Sequence, residues 1–450
     1  MRFDEALSYL LSLGHETLAI KLGLTNTERL LDALERPQSA FPAVQIAGTN
    51  GKGSTAAMLD AICRASGLKT GLYTSPHLIS ITERIRIGGR EIVPGRFARF
   101  VADVRAAAIR VQSEEGALPT FFEQVTAVAF LAFREAGVPV AILETGLGGR
   151  LDATTVARAA TLAITPIALD HQEYLGNTLG EIAAEKAAII HPGATVAVTP
   201  QPVEAMEVII NRCRECGITP RDAARFVASH SVGDAKKTRT ADAGRLRADF
   251  ETSEDRYEHV HLALRGRHQL TNAAVAIVVA EQLRERGFDI SREAIIEGLE
   301  GATHAGRLEL WPGTPALLFD GAHNAAGAEA LRRYLDEFVE APVTLIFGAM
   351  REKNLAEIAS TLFPAARYLI LTKPGNLRAA TLETLKSIVP SSVEADRITL
   401  AATPAEALRA ARQLTPSEGI ICITGSLYLV GEAQQLLNDS SNQISVECRV

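Results

Sequence analysis

Residues 47–55, Ala-Gly-Thr-Asn-Gly-Lys-Gly-Ser-Thr, place three glycines and a lysine between an apolar run, "AVQI", and a helical pattern opening with Ser54-Thr55. Strand, glycine loop, lysine, helix is the context of a phosphate site. Glycines let backbone N–H groups turn toward an anion, and the helix adds its unpaired N–H groups and the positive end of its dipole. In that reading Asn50, Gly51, Lys52, Gly53 and Ser54 form the cradle, Lys52 carries a mobile charge for the β- and γ-phosphates, and Ser54 is placed to touch Mg²⁺. The common pattern, G-x-x-x-x-G-K-[ST], is not met: Ile46 stands where its first glycine would be, and Gly53 follows the lysine so that Ser54 arrives one residue late. The bland alternative is a strand-to-helix turn with glycine for positive φ and serine as the cap. Three glycines within six residues, with a lysine interposed, exceed what a cap requires. The loop names an anion but no reaction.

Other residues capable of chemistry sit where strands end. Glu144 closes the apolar run "PVAILE", and His171 follows Asp170 after "TLAITPIAL"; parallel α/β sheets hold ligands at such carboxyl ends. Glu144 could instead pair with Arg150, and His171 could be a buried, hydrogen-bonded ring. Lys186 lies in "TLGEIAAEKAAII", where Thr178 and Glu181 form a capping box and Glu185-Lys186 could be solvated charge, although Lys186 borders the apolar "AAII". In "LPTFFEQVTAVAF", Thr120 and Glu123 form a second capping box. Phe121 and Phe122 beside it are more often core than ligand-stacking residues.

Positioning these groups requires an α/β scaffold. Continuous apolar runs followed by turns and amphipathic helices over the first ~300 residues indicate buried parallel strands. A polar, charged stretch at about 220–265, ending in the alternating "HVHLAL", suggests a small accessory hairpin sheet. A second strand-helix series follows "GATHAGR": "ALLFDGAHN", "VTLIFGAM", "ARYLILTK", "GIICITGS". A chain of 450 residues suits two domains, here 1–300 and 307–450 with a hinge at about 300–306. The closing "NDSSNQISVECRV" reads as frayed.

Composition narrows the class. Hydrophobic residues make up 47% and charged residues 22%, ordinary globular values. A net charge of −7 gives no general affinity for nucleic acid. The longest apolar run, Val125–Phe133 broken by Thr126, falls short of the ~20 residues of a membrane span, and the opening residues have no secretory pattern; a cytoplasmic protein is expected. Five cysteines are an odd count, and Cys213-x-x-Cys216 has no second pair to complete a zinc site. That segment reads as a helix end closed by Gly217.

The string "AGTNGKGST", followed in order by "GLYTSPHL" (71–78), "ETGLGGRLDAT" (144–154), "ALDHQEYLG" (168–176), "EKAAI" (185–189), "GRHQLTNAA" (266–274), "GRLE" (306–309), "DGAHN" (320–324) and "GAM" (348–350), resembles the folylpolyglutamate synthase/dihydrofolate synthase family of Mur-type, ATP-dependent amide ligases. The resemblance implies a P-loop-containing parallel-sheet N-terminal domain with a small accessory β-sheet and a smaller Rossmann-like α/β C-terminal domain. It implies a monomer that joins L-glutamate to dihydropteroate or a reduced folate at the expense of ATP, by way of an acyl phosphate, with Mg²⁺. It makes Ser54, Ser75, Glu144 and His171 metal ligands, and Lys186 an N6-carboxylysine that holds a second metal. It makes Asn272, Arg307 and Asp320 contacts to ATP, and lines the same cleft with His323. It also sets Phe121, Phe122, Glu123, Leu151, Asp152 and Ala153 around the pterin, where an aromatic wall beside a carboxylate suits a flat heterocycle with amide-like donors. Taken one by one, Asn272, Arg307 and Asp320 could be a capping amide, a surface ion pair and a strand-end acid. Two other readings are a ligase of the same fold and a protein of a different class. A peptidoglycan-precursor ligase is disfavoured by "TSPHL" and the pterin-side segments, and a nucleotide-binding switch would need no spread of metal-ligand residues.

Overall fold

The apolar runs between residues 43 and 222 form an eight-stranded sheet in the order β4-β3-β2-β5-β1-β6-β7-β8. Its strands are β1 (Ala43–Ala47), β2 (Gly71–Tyr73), β3 (Ile85–Ile87), β4 (Arg90–Glu91), β5 (Ala141–Glu144), β6 (Thr161–Ile164), β7 (Thr195–Val198) and β8 (Arg221–Asp222). All pair in parallel except β3 and β4, which form an antiparallel edge. The structure is a computed structural model that describes residues 1–14, 23–115, 118–229 and 244–447. Residues 230–243, within the polar stretch expected to form the accessory sheet, lie outside the described residues.

Helices cover both faces of this sheet, which is why β1, β2, β5 and β6 are buried at every position instead of alternating. On one face Lys52–Ala65 packs against His268–Glu285 and Arg292–Gly301. The other face packs on Phe121–Ala136, whose start is fixed by the expected Thr120/Glu123 capping box. The accessory sheet has three antiparallel strands in place of a hairpin: β9 (Arg225–Ser229), β10 (Arg247–Glu251) and β11 (Arg256–His261), in the order β11-β10-β9. β11 ends at His261, so the "LAL" that continued the alternation leaves the strand and is buried against the first layer.

From residue 309 a six-stranded sheet follows, with β12 (Glu309–Trp311), β13 (Ala316–Phe319), β14 (Val343–Phe347), β15 (Tyr368–Thr372), β16 (Ile398–Ala401) and β17 (Ile420–Thr424). Its order is β12-β13-β17-β14-β15-β16, parallel except for β12. The protein is therefore an α/β chain of two parallel-sheet units with a small antiparallel sheet between them in sequence. Within the polar closing stretch, residues up to Glu447 continue a helix, Leu427–Glu447, where the sequence suggested fraying. Helix Val203–Glu215 ends at Cys216 and Gly217, and Cys213 and Cys216 are free thiols.

Candidate active site

Neighbouring strands β2, β5, β1 and β6 deliver their carboxyl ends to one edge of the large sheet. From β1 the chain enters the glycine loop, and the helix begins at Lys52, with left-handed Gly51 (φ 86°) as its N-cap. Lys52 thus stands in the first turn, two residues earlier than the Ser54 start read from sequence. A Cβ on Gly51 would lie 2.2 Å from Asn272 Oδ1. Gly53 is equally confined, since its Cβ would meet His304 Cε1 at 2.7 Å and Glu144 Oε2 at 3.3 Å. The departure from the common loop pattern thus has a steric correlate: the residue after the lysine faces two side chains that a Cβ would displace. Thr49 and Asn50 donate their N–H groups to Pro166 O at 3.0 and 3.1 Å. The next N–H groups open the helix and have no acceptor within it. Lys52 Nζ folds back onto Gly48 O (3.0 Å) and Thr49 O (3.2 Å), and burial lowers its pKa against the opposing pull of Glu144 and Asp170. Ser54 Oγ lies 3.2 Å from His304 Nδ1 and accepts from Gln269 Nε2 at 3.3 Å.

The other strand ends converge on this loop. Glu144, at the end of β5, is buried and accepts the Ser75 N–H at 3.1 Å; burial raises its pKa while Lys52 pulls the other way. After β6, His171 takes a left-handed conformation (φ 50°), and burial holds its pKa down at about 3, so the ring is neutral with a lone pair to give. Lys186 reaches in from the helix Leu179–Ala187, its Nζ donating to Gly48 O at 2.8 Å. Burial, then repulsion by Lys52, pushes its pKa down to about 7.

The second sheet presents its own carboxyl ends across the gap. Asp320 follows β13 and accepts N–H bonds from Leu308 and Ala322, each at 3.0 Å, so its carboxylate braces the turn; burial raises its pKa and Arg307 opposes this. Arg307 lies over Gly321, where a Cβ would meet Nη1 at 2.8 Å. Asn272 donates to Gln269 Oε1 at 2.9 Å. His323 Nε2 lies 3.5 Å from Asp170 Oδ2, and Lys353 Nζ lies 2.6 Å from Asp170 Oδ1. Asn324 Nδ2 donates to Asp170 Oδ2 (3.1 Å) and Asn50 Oδ1 (3.0 Å). Burial opposes ionisation of Asp170, but His323, Lys353 and His171 hold its carboxyl well below the usual range.

Two clefts result. One, of about 390 Å³, is lined by the glycine loop, Glu144, Lys186, Asn272, Arg307 and Asp320. The other, of about 300 Å³, is lined by Phe122, Glu123, Leu151, Asp152, Ala153 and residues of the second sheet that include Lys353 and Arg378. Ser75, Gly146, Leu147, His171 and His323 line both and form a common wall. Phe121 does not line this wall: it is buried in the core beneath the Arg84 guanidinium, because the first residue of its helix points inward. Phe122 lies over Gly146, whose Cβ would meet the ring at 2.5 Å, and faces Tyr73. The carboxylates of Glu123 and Asp152 are already engaged. Glu123 accepts from Thr120 N and Thr27 Oγ1. Asp152 accepts from Gly146 N, Leu147 N and Thr154 N, and burial raises its pKa. Both acids fix the cleft's floor.

Sequence reading missed Lys353, Arg378, Gln269 and His304. Lys353 stands three residues past "GAM", and His304 lies inside "GATHAGR", which was read only as a boundary. Spacing gives no sign that either reaches a strand end far away in the chain. Among the described residues no three His, Cys, Asp or Glu side chains gather into a ready metal cage. A carboxylate, a neutral imidazole and two hydroxyls nonetheless line the shared wall and the loop, hard donors suited to an ion that keeps water and phosphate oxygens among its ligands.

Residues 46–280 match the model of the Mur ligase middle domain, and residues 306–427 that of the Mur ligase glutamate ligase domain. The chain is 36% identical to a probable bifunctional folylpolyglutamate synthase/dihydropteroate synthase of Haloferax volcanii, over 96% of this chain and 50% of that protein. It thus spans about half the length of that relative. It is 33% identical to the dihydrofolate synthase/folylpolyglutamate synthase of Bacillus subtilis, over 94% of this chain and 97% of the relative. Among solved structures, Mycobacterium tuberculosis folylpolyglutamate synthase complexed with ADP and AMPPCP matches with a TM-score of 0.86 at 31% identity, over 96% and 98% of the two chains. The chain belongs to the folylpolyglutamate synthase/dihydrofolate synthase family of Mur ligases.

Proposed function

We propose that the protein is an ATP-dependent ligase that joins L-glutamate to dihydropteroate, to the glutamate tail of a reduced folate, or to both, releasing ADP and phosphate. The observation that carries this reading is the common wall of the two clefts, which would hold a nucleotide's terminal phosphate and a carboxylate on either side of Ser75 and His171. A carboxylate oxygen is a poor leaving group. Transfer of the γ-phosphoryl group converts it to an acyl phosphate, whose carbonyl the amine of glutamate attacks as phosphate leaves. The protein's part is placement and charge stabilisation.

In this reading the loop Asn50–Ser54 cradles the β- and γ-phosphates, Lys52 turns from its own carbonyls to the phosphates, and Arg307 meets them from the second sheet. Asn272 and Asp320 shape the pocket, with stretch 300–306 as the hinge between domains 1–300 and 307–450. Mg²⁺, held by Ser54, Ser75, Glu144 and His171, would neutralise charge developing on the phosphate oxygens. Lys186 is suited to carbamate formation: with its pKa near 7 it offers a neutral amine, which adds to CO₂ and loses a proton to become an anion beside the loop. Phe122, Leu151 and Ala153 would take the pterin against an apolar face. Phe121 is left out of that set, and Glu123 and Asp152 act through the backbone they hold. His323 stands between the clefts, where it would meet the acyl phosphate or the incoming amine. Both clefts are built from one chain, which supports a monomer acting on small molecules.

The test is glutamate-dependent phosphate release, with dihydropteroate and tetrahydrofolate supplied separately as acceptors. Release with either supports the ligase and tells which activity is present. Nucleotide binding with no release on either acceptor would sink the proposal.

A further inference from the structure

His304 lies in the stretch between helix Arg292–Gly301 and β12, yet its ring enters the glycine loop. Nδ1 lies 3.2 Å from Ser54 Oγ, and Gln269 Nε2 donates to the same oxygen at 3.3 Å. The ring packs against Gly53, where a Cβ would sit 2.7 Å from Cε1 and would displace it. Ser54 is 4% exposed and lines the nucleotide-side cleft.

A hydroxyl has one proton and two lone pairs. It can ligate a cation only through a lone pair, so its proton must point elsewhere. Gln269 takes one lone pair of Ser54. If the proton goes to His304 Nδ1, the second lone pair remains for the cleft. We propose that His304 is a positioning residue for the cation–nucleotide complex, accepting the Ser54 proton and so turning a lone pair toward the metal position. This rests on Ser54 as a cation ligand and goes beyond it by making metal-dependent nucleotide binding conditional on the seating of the interdomain stretch. That stretch also carries Arg307, three residues on, so one short segment sets both a metal ligand and a phosphate contact.

The experiment is equilibrium binding of a non-hydrolysable ATP analogue to the full chain, in Mg²⁺ and in EDTA, for the parent, His304→Ala and His304→Asn. The parent should bind more tightly in Mg²⁺. His304→Ala should lose about 10- to 100-fold of that gain, the range seen when a group supporting a metal ligand is removed, with EDTA affinity changed by less than about two-fold. His304→Asn, whose amide oxygen can accept the same proton, should recover most of the gain. Equal weakening of His304→Ala in both buffers would mark a packing role and overturn the proposal, as would unchanged binding in both. A failure of Asn to recover what Ala loses would overturn proton acceptance. Parent binding that is tight but indifferent to Mg²⁺ would remove Ser54 from the metal site, and this inference with it, while leaving the nucleotide site standing. No nucleotide binding at all would instead defeat the ligase reading.

Discussion

Asp170 joins the two sheets through several side chains at once, and Asp170→Asn is an informative way to perturb that contact. The carboxylate follows β6 of the first sheet and meets Lys353 at 2.6 Å, Asn324 at 3.1 Å and His323 at 3.5 Å, all from the second. The side chains of Asp170 and Lys353 are only 8% and 11% exposed, so solvent screens the pair little. Removing one partner of a buried ion pair costs about 3–5 kcal/mol, because the other charge stays buried unpaired. Asparagine keeps an acceptor for Lys353, so a loss of about 2–4 kcal/mol is expected, or roughly 4–16 °C in melting temperature for domains of this size. The sign of the pH dependence follows from the depressed carboxyl pKa. The stabilisation is present in full above the unfolded value of ~3.9 and is lost as pH falls through the folded value. The penalty of the substitution is thus largest at neutral pH and fades only in strong acid. Thermal melts of Asp170→Asn, Lys353→Met and the double variant isolate the pair, with an expected coupling of about 1–3 kcal/mol. Small-angle scattering should show a larger radius of gyration for the single variants as the cleft opens. Additive single effects with unchanged scattering would refute the idea that this pair holds the sheets together.

Two further outcomes can be checked directly. Folded Lys186 releases its proton near pH 7, whereas an unfolded lysine holds it to ~10.4. Between those values the unfolded state binds more protons and stability rises with pH: the penalty for a buried ammonium is full below pH 7 and has gone above ~10.4. In ¹³C-labelled bicarbonate a carbamate resonance should therefore grow above pH 7 and be absent from Lys186→Ala; a signal that persists in that variant would place the modification elsewhere. Gly51→Ala sets a Cβ 2.2 Å from Asn272 Oδ1 in a left-handed conformation, costing about 1–2 kcal/mol of backbone strain in addition to the collision. Nucleotide affinity should fall by at least about 10-fold, and titration calorimetry showing parent-like affinity would contradict the loop geometry.

Much of this was legible from the chain alone. Periodicity and turn residues marked the strands, because a strand buried on both faces is apolar at nearly every position, and β1, β5 and β17 depart from that only at Gln45, Glu144 and Thr424. The capping boxes at Thr120 and Thr178 were readable because their partners are three residues apart. Glu144 and His171 could be singled out as strand-end residues, since the carboxyl ends of parallel strands share one edge of a sheet. Tertiary structure decided what distance along the chain conceals. Phe121 and Phe122 are adjacent and alike, yet one is core and the other lines a cleft, a matter of which way the helix faces. Asp152 and Glu123 line the cleft, and only the fold shows that their carboxylates also hold backbone and hydroxyl groups. Lys353 meets Asp170 across 183 residues, and His304 meets Ser54 across 250. No local pattern encodes such pairs, because a side chain's partner is set by the packing of whole layers and not by its neighbours in sequence.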